Sequence, residues 1–238
     1  MRHSLFFGVS LAIGLDVVQA NTEKVIFLGP ETVNVPTTPP TLQDLRLDVL
    51  TPDDWSKRVD LRASFPTKET PSGTATWVLL TNLTKDQRYE LRVCWAATQP
   101  TAFSLDVFEL PVVWDTPELI TSLATYAFSR QPDSESGDAE KTPWTVGQEH
   151  EASLLFLRVL AAADYYTDNA TLMANVEPVR ADLILDPFLL NALPRSLLPT
   201  VGYIIAVAVM AWFLSRLILG WIQPVLAAEG KAAEKKRI

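Results

Sequence analysis

The feature that most constrains this chain is a run of mostly apolar residues near the C-terminus, Leu197–Val225, which reads LLPTVGYIIAVAVMAWFLSRLILGWIQPV. A helix needs about 20 apolar residues to cross the roughly 30 Å hydrocarbon core of a bilayer, and this run is long enough to do so with some tilt. Pro199 and Pro224 lie near its ends, where lost backbone hydrogen bonds cost least. We therefore predict one transmembrane helix over residues 199–222 and expect membrane lipid among the partners of the chain.

The beginning of the chain has the pattern of a cleaved signal peptide over residues 1–20. Arg2 supplies a basic start, Leu5–Leu15 forms an apolar stretch, and Val18 and Ala20 stand three and one positions before the expected cleavage site. The apolar stretch is too short for a transmembrane helix. We predict that the mature chain begins at residue 21 and is translocated across the membrane.

The charges on either side of the apolar run predict its orientation. The whole chain carries a formal net charge of -8, yet its end is basic. After the run, four bases stand against two acids: Lys231, Lys235, Lys236 and Arg237 against Glu229 and Glu234. Because positively charged flanks stay in the cytosol, we expect residues 223–238 to form a cytosolic tail and residues 21–186 a luminal domain, which is a single-pass type I topology.

The last five residues, EKKRI, place Lys235 and Lys236 fourth and third from the C-terminus. This ending is typical of the dilysine signal that returns type I proteins from the Golgi to the endoplasmic reticulum, an address that is read by a receptor. A generic basic cluster that stops transfer through the membrane is the alternative. We expect retrieval through these two lysines, and therefore residence in the endoplasmic reticulum membrane.

Residues 21–186 show the rhythm of an all-β domain. Short segments rich in β-branched or aromatic residues alternate with turn-forming residues. The predicted strands are Lys24–Gly29, Val59–Phe65, Thr76–Thr81, Arg88–Ala96, Phe103–Leu110 and Val179–Asp186. Glu151–Tyr166 is ambiguous between a buried strand and a helix, and we favour a strand because a sandwich of sheets needs more strands.

Three further segments have other patterns. Thr116–Arg130 opens with a Thr cap and repeats apolar residues at helical spacing, which predicts a short helix. Residues 131–143 are polar, acidic and without periodicity, which predicts a mobile loop. Residues 187–198 are apolar and lead into the predicted span, so we expect a juxtamembrane segment that lies at the membrane interface.

The segment from Leu83 to Tyr89 resembles the tyrosine corner of immunoglobulin-like and fibronectin III-like sandwiches, where a leucine closes one strand and a tyrosine six residues later opens the next. Side chains then alternate between the two faces of the strand. We expect Tyr89, Leu91, Val93 and Trp95 to face inward and Glu90, Arg92 and Cys94 to face outward. The predicted fold is therefore an immunoglobulin/fibronectin III-like β-sandwich with one short helix and one C-terminal transmembrane helix.

Two sequons become meaningful once the domain is taken to be luminal. They are Asn82-Leu83-Thr84 and Asn169-Ala170-Thr171. Glycan addition requires exposure of the asparagine in the lumen. We predict glycosylation sites at Asn82 and Asn169.

The composition offers little catalytic chemistry. The chain has two histidines and one cysteine, and its sequence pI of about 4.8 argues against a basic nucleic-acid surface. It contains no G-x-S-x-G, H-E-x-x-H, G-x-G-x-x-G or P-loop motif. Cys94 forms no Cys/His group with metal-ligand spacing and is expected to be a small, partly covered residue. We predict no catalytic residue, no cofactor, no metal site and no nucleic-acid partner, and hence a protein that is not an enzyme.

Arg216 is a charge within the predicted span. Its guanidinium could snorkel to the cytosolic headgroups, or it could lie inside the membrane against the helices of another subunit. Because a single helix has few means of satisfying a buried charge, the second interpretation requires a partner that supplies the counter-group. Arg216 is therefore a possible intramembrane contact.

Two stretches carry a resemblance to a known family: ANTEKVIFLGPE at Ala20–Glu31 and LTNLTKDQRYELRVCWAATQPTAFSLDVFEL at Leu80–Leu110. Together with the leader and the C-terminal span, they resemble the small accessory subunit of fungal GPI mannosyltransferase II. The resemblance implies a non-catalytic, stabilising subunit in GPI-anchor biosynthesis. It also implies a multispanning glycosyltransferase partner, which adds the second mannose and is bound through the span and the luminal domain.

A second function remains open from the residues alone. A luminal sandwich with a retrieval tail also suits a cargo receptor or chaperone-like adaptor that cycles between the endoplasmic reticulum and the Golgi. The two hypotheses differ in what holds the chain in place. A receptor that cycles depends on Lys235 and Lys236, whereas an enzyme subunit is also retained by its partner.

Overall fold

The computed structural model of the chain describes residues 20–35, 41–131 and 150–235. The predicted signal peptide up to residue 19, most of the predicted loop 131–143, and Lys236 lie outside the described residues. The strands are β1 (Ala20–Leu28), β2 (Val33–Val35), β3 (Asp48–Leu50), β4 (Ser56–Leu61), β5 (Thr74–Thr81), β6 (Arg88–Ala96), β7 (Thr101–Phe108), β8 (His150–Ala152), β9 (Leu154–Ala163), β10 (Val179–Leu189) and β11 (Leu193–Pro194). The α-helices are α1 (Leu110–Asp115), α2 (Pro117–Ser129), α3 (Ala170–Ala174) and α4 (Leu198–Lys235), and single 3-10 turns lie at Leu42–Leu45 and Arg195–Leu197.

The strands form two main sheets. Sheet 1 has the order β1-β6-β10-β4, and β11 extends β10 beyond the end of β6; all of its pairings are antiparallel. Sheet 2 has the order β3-β5-β9-β7, with a parallel pairing only between β3 and β5. A separate two-stranded ladder joins β2 and β8. The chain passes from sheet 2 to sheet 1 between β5 and β6, and it returns to sheet 2 between β6 and β7. Strand β6 therefore pairs with β1 and β10 and not with its neighbours in sequence.

The inner faces of the two sheets share one hydrophobic core. Along β6, Tyr89, Leu91 and Val93 are fully buried and Trp95 nearly so, as the alternation in the sequence predicts. They pack with alternate residues from β10 of the same sheet and from β5 and β9 of the opposite sheet. Burial of these apolar side chains is the main force that holds the two sheets together.

Sheet 2 is buried on both of its faces. On its outer face, Trp77 and Phe156 pack against Val113 of α1 and against Leu119 and Leu123 of α2. Nearly all residues of β5 and β9 are consequently buried. This explains why Glu151–Tyr166 lacks a clear alternation in sequence, because a strand covered on both faces reads as a continuous apolar run.

Helix α4 extends from the sandwich without packing against it. Over Arg195–Pro224 its mean hydropathy is 2.1 and none of it is buried, so by length and composition it can cross a membrane. Among the described residues it is the one helix of this kind. The helix continues beyond the predicted end of the span at residue 222 and through Pro224 as far as Lys235.

Some of the predicted elements are confirmed, and others differ in their bounds. The predicted helix at Thr116–Arg130 is confirmed as α2, and the strand favoured over Glu151–Tyr166 is confirmed as β9. The predicted strand Phe103–Leu110 ends at Phe108, because Leu110 already belongs to α1, whose second residue is a proline. Residues 187–198 do not form one apolar segment: β10 continues to Leu189 and then turns back into β11.

Candidate interaction surface at the α4 end of the sandwich

One end of the sandwich is formed by the loops next to the start of α4, and we call it the α4 end. It contains the end of β1, the β5–β6 connection, the β10–β11 hairpin and the 3-10 turn before α4. The opposite end contains the start of β1, the β6–β7 connection and α3. Because α4 is the candidate membrane span, the α4 end is the part of the folded domain that the chain holds closest to a membrane.

Leu83 and Tyr89 lie at the β5–β6 connection of the α4 end. Both side chains are buried, and Tyr89 stacks on Phe27 of β1 with ring centroids 5.8 Å apart. The Tyr89 hydroxyl accepts a hydrogen bond from the backbone N–H of Thr84 at 2.9 Å and donates one to Oε1 of Gln87 at 3.0 Å. The hydroxyl therefore ties the connection between the two sheets to the start of β6.

The end of β1 closes on the same connection through Gly29. Its N–H donates to the carbonyl of Gln87 at 2.8 Å, and its own carbonyl accepts from the N–H of Asp86 at 2.9 Å. A Cβ at this position would lie 2.1 Å from the carbonyl oxygen of Thr84, so no residue with a side chain fits without moving the backbone. Asp86 itself has a positive φ of 61°, and the connection is thus a tightly interlocked turn.

The β10–β11 hairpin packs against this turn. Asn191 Oδ1 accepts from the backbone N–H of Arg88 at 2.8 Å, while its Nδ2 donates to the carbonyl of Asp86 at 2.8 Å. Gln87 Nε2 donates to the carbonyl of Phe188 at 3.3 Å. A shallow cleft of about 400 Å³ lies between the two loops. Hairpin and turn form one rigid unit at the α4 end.

A cluster of charged side chains covers the outer face of sheet 1 next to α4. Glu90 of β6, which the sequence predicts to face outward, and Asp186, its partner across from it on β10, are only 7% and 4% exposed. Glu90 pairs with Lys24 at 3.2 Å and with Arg92 at 3.4 Å, and Arg92 also approaches Asp186 at 3.5 Å. Buried carboxylates are tolerated when cations and hydrogen-bond donors surround them in this way.

The same cluster holds the base of α4. The backbone N–H of Ser196, in the 3-10 turn before the helix, donates to the Asp186 carboxylate at 3.2 and 3.3 Å. Arg92 donates to the Ser196 hydroxyl at 3.3 Å. Hydrogen bonds to a charged acceptor are stronger than those between neutral groups. The sandwich and the candidate span are therefore joined by a hydrogen-bonded contact as well as by the chain.

More exposed ion pairs surround this cluster. Arg58 of β4 donates to both oxygens of Asp182, and these hydrogen bonds hold the pKa of the Asp182 carboxyl below its usual value. In the same way, the hydrogen bond from Lys85 lowers the pKa of Glu31. Both pairs are open to solvent, so they contribute little to stability.

The two predicted glycosylation sites lie at opposite ends of the sandwich. Asn82 is exposed at the α4 end, directly after β5, with a positive φ of 58°. Asn169 is exposed at the opposite end, where its Oδ1 accepts from the N–H of Thr171 at 3.0 Å and caps α3. Both asparagine side chains lie on the surface. At Asn169 the atom that caps α3 is Oδ1 and not the amide nitrogen.

The remaining predicted site residues lie on or beyond α4. The guanidinium of Arg216 stacks over the ring of Trp212, one helical turn earlier, at 5.4 Å from the ring centroid. Lys235 is the last residue of the helix, and Lys236 falls outside the described residues. Arg216 therefore has an aromatic partner within its own helix and stands apart from the cluster at the α4 end.

Among the described residues, the side chains that could act as nucleophiles or metal ligands are not grouped together. Cys94 is half-buried on the outer face of β6, next to the hydroxyl of Thr22 at 3.6 Å, as expected for a small covered residue. Among residues 20–35, 41–131 and 150–235, no three His, Cys, Asp or Glu side chains are grouped so that they could hold a metal ion. What the α4 end offers is a rigid surface for contact.

Sequence reasoning missed the residues that build this surface, namely Asp186, Asn191 and Ser196. The sequence places Asp186 at the end of a predicted strand and the other two in a predicted juxtamembrane segment at the membrane interface. The dipeptide Leu190-Asn191 is a weak turn signal, because asparagine adopts positive φ readily but leucine does not.

Comparison with known proteins finds a family model that matches part of the chain. Residues 11–115, from the leader to the end of α1, match the family model of Pga1, described as GPI-mannosyltransferase II co-activator. No curated protein and no solved structure matches the chain. The matched region contains both stretches that carry the resemblance in sequence, as well as the Tyr89 connection and most of sheet 1. The match to the Pga1 family confirms that resemblance and supports the identification of this chain as an accessory subunit of GPI mannosyltransferase II.

Proposed function

We propose that this chain is a non-catalytic subunit that stabilises the mannosyltransferase adding the second mannose to the GPI-anchor precursor in the endoplasmic reticulum. The observation that carries the proposal is the match of residues 11–115 to the co-activator family. A co-activator works through the enzyme that it activates, which agrees with the absence of a catalytic motif from the sequence. We infer that this enzyme is multispanning, because its lipid-linked substrates lie in the membrane.

The proposed topology is type I. A signal peptide over residues 1–20 is removed, residues 21–186 fold in the lumen, residues 199–222 span the membrane and residues 223–238 face the cytosol. The apolar length of α4 and the basic residues after it support this arrangement. In this topology Asn82 and Asn169 are available for glycosylation in the lumen.

We interpret the luminal domain as an immunoglobulin-like sandwich with a tyrosine corner at Leu83 and Tyr89. The hydrogen bond from Thr84 to the Tyr89 hydroxyl and the change of sheet between β5 and β6 support this interpretation. The pairing of β6 with β1 and β10 marks a variation on that fold. The hydrogen bonds of the Tyr89 hydroxyl support a structural role for the corner.

Two surfaces of the chain suit the enzyme partner. The side chains of α4 up to Pro224 are free of contacts with the sandwich, so the helix can pack against other transmembrane helices. On α4, Arg216 is the candidate polar contact, since the stacking on Trp212 leaves the guanidinium hydrogen-bond donors to be satisfied by headgroups or by a partner. The α4 end of the sandwich would lie beside the luminal loops of that partner.

A deletion experiment tests the function directly. Cells that lack this chain should accumulate GPI precursor with a single mannose and lose GPI-anchored proteins from their surface. Restoring the full chain should reverse both effects. Normal amounts of later GPI intermediates in the deletion strain would contradict the proposed function.

The tail variant Lys235→Ser, Lys236→Ser separates this function from a cycling cargo receptor. An enzyme subunit should stay in the endoplasmic reticulum through its partner and should still restore GPI assembly. Movement to later compartments, with slowed secretion of a client and with GPI assembly intact, would favour the receptor. Imaging of the tagged variant together with analysis of the GPI precursors distinguishes the two.

A further inference from the structure

The tip of the β10–β11 hairpin presents a leucine to solvent in an unusual way. Leu190, in the turn directly after β10, is 99% exposed, whereas Phe188, two residues earlier in β10, is 7% exposed. Leu190 and Asn191 both have positive φ, 51° and 55°, and the N–H of Ala192 closes the turn by donating to the carbonyl of Leu189 at 3.1 Å. Leucine is a poor residue for this conformation, so the turn geometry does not account for an apolar side chain there.

The tip is held rigidly in this exposed position. The side-chain amide of Asn191 accepts from the N–H of Arg88 and donates to the carbonyl of Asp86, and Gln87 donates to the carbonyl of Phe188. A rigidly presented side chain loses little conformational entropy when it inserts into another phase. The hairpin is therefore a preorganised apolar tip rather than a loose loop.

Other exposed apolar side chains share the α4 end with this tip. On sheet 1 and the segment leading to α4, the side chains of Ile26, Leu28, Trp55, Leu189 and Leu197 are each at least 40% exposed. Trp55 lies immediately before β4, and its carbonyl accepts from the N–H of Leu185 at 2.7 Å, which places it at this end. Tryptophan and leucine side chains are favoured where an apolar phase meets water.

The chain keeps the tip close to the candidate span. Leu198, the first residue of α4, comes eight positions after Leu190, so the two cannot be more than about 29 Å apart even if the chain were fully extended. The hairpin turns back and Ser196 is bonded to Asp186, which shortens this distance further. Arg88 and Arg195, exposed on either side of the tip, provide positive charge next to the apolar side chains.

We propose that the β10–β11 hairpin inserts Leu190 into the luminal leaflet of the membrane, with Arg88 and Arg195 at the level of the lipid phosphates. The occupant of this apolar surface is lipid, because the surface is continuous with the base of α4 and combines exposed apolar groups with cations. The hairpin thereby gives the domain a second membrane contact and fixes its tilt. This inference rests on the proposed membrane span of α4.

A fluorescent label tests the insertion in the full chain reconstituted in nanodiscs of phosphatidylcholine and phosphatidylserine. On a Cys94→Ala background, single cysteines are introduced as Leu190→Cys at the tip, Met210→Cys in α4 and Tyr166→Cys at the opposite end of the sandwich. Each is labelled with an environment-sensitive dye, and quenching by nitroxide-labelled lipid is measured. We expect strong quenching at positions 190 and 210 and none at position 166.

The three positions separate the inference from the proposed span. Quenching at 210 without quenching at 190 would overturn the hairpin inference and leave the span intact. Absence of quenching at both 190 and 210 would overturn the span and the inference together. Protection of the label at 190 that requires the co-purified mannosyltransferase, and not lipid, would assign the tip to a protein contact and contradict the proposal.

A second variant distinguishes loss of membrane insertion from misfolding of the hairpin. Leu190→Asn suits the positive φ of this position better than leucine does, so the thermal unfolding midpoint should stay the same or rise. A dye at Leu189→Cys should nevertheless lose its lipid quenching when Leu190→Asn is added. Unchanged quenching at position 189 would show that Leu190 does not hold the tip in the membrane.

Discussion

The two sheets of the sandwich meet very different surroundings on their outer faces. Sheet 2 is covered there by α1 and α2, and the side chains in that second core are apolar, with Trp77 and Phe156 fully buried. The outer face of sheet 1 carries instead the cluster of Lys24, Glu90, Arg92 and Asp186, which reaches the base of α4. Sheet 2 therefore serves mainly as the stable body of the domain, and sheet 1 carries the contacts with the base of α4.

The largest effect is expected from a cavity in sheet 2. Phe156→Ala removes a ring that contacts Trp77 and Trp114 and should lower the free energy of unfolding by about 3–5 kcal/mol. The matched change on the open face of sheet 1, Ile26→Ala, should change it by about 0.5 kcal/mol or less, because Ile26 is half exposed. Denaturant titration of the full chain in detergent measures both. Equal losses in the two variants would contradict the contrast between the sheets.

The next effect concerns the charged cluster of sheet 1. Asp186→Ala leaves the Ser196 N–H without its acceptor and Arg92 with one carboxylate fewer, and should cost about 1–3 kcal/mol of unfolding free energy. Because the base of α4 is released, limited proteolysis between residues 190 and 197 should also become faster. The control is Asp182→Ala on the same strand, whose exposed pair with Arg58 should matter less. If both variants resist protease equally, the cluster does not hold the base of α4.

A smaller effect is expected from the Tyr89 hydroxyl at the connection between the sheets. Tyr89→Phe keeps the buried ring but removes the acceptor for the Thr84 N–H, which should lower the unfolding free energy by about 1 kcal/mol. Leu83→Ala, in the same connection, should cost more, about 2–5 kcal/mol, because it opens a cavity. A neutral Tyr89→Phe variant in the same titration would mean that the hydroxyl does not stabilise the corner.

The smallest effect is expected for the exposed pair of Glu31 and Lys85 at the α4 end. Because the pKa of Glu31 is lowered in the folded state, the pair contributes only above the unfolded pKa of that carboxyl, and its contribution is lost as the pH falls through the folded value. Both groups are open to solvent, so Glu31→Gln should barely change stability at neutral pH. Thermal unfolding of the unchanged chain and of Glu31→Gln, measured across the acidic pH range, gives the contribution of the pair to stability. A large loss of stability in the variant at neutral pH would show that the α4 end depends on this pair.

The inward face of β6 could be predicted because the chain itself carries the signal. Tyr89, Leu91 and Val93 alternate with polar residues, and burial follows that alternation. The same alternation predicts that Glu90 faces outward, but it carries no information on the burial of Glu90 or of Asp186. A charged residue on the outer face of a strand is normally solvated, and these two are buried because Lys24, Arg92 and Ser196 converge on them from three different segments.

The β10–β11 hairpin could not be predicted for a related reason. Pro187 and the apolar residues after it indicate an irregular segment, whereas β10 continues across the proline because β6 ends its pairing there, opposite Tyr89. Leu190 has a positive φ next to Asn191, and the side chain of Asn191 bonds to the β5–β6 connection at Asp86. These two segments lie far apart in the sequence. Long-range contacts of this kind leave no local pattern.

Affinity purification of the tagged full chain in mild detergent, followed by mass spectrometry, tests the central claim most directly. The account predicts that a multispanning mannosyltransferase co-purifies with the chain, and that it is lost when α4 is replaced by an unrelated apolar helix. Recovery of the chain as a monomer, in cells that assemble GPI anchors normally without it, would contradict the account.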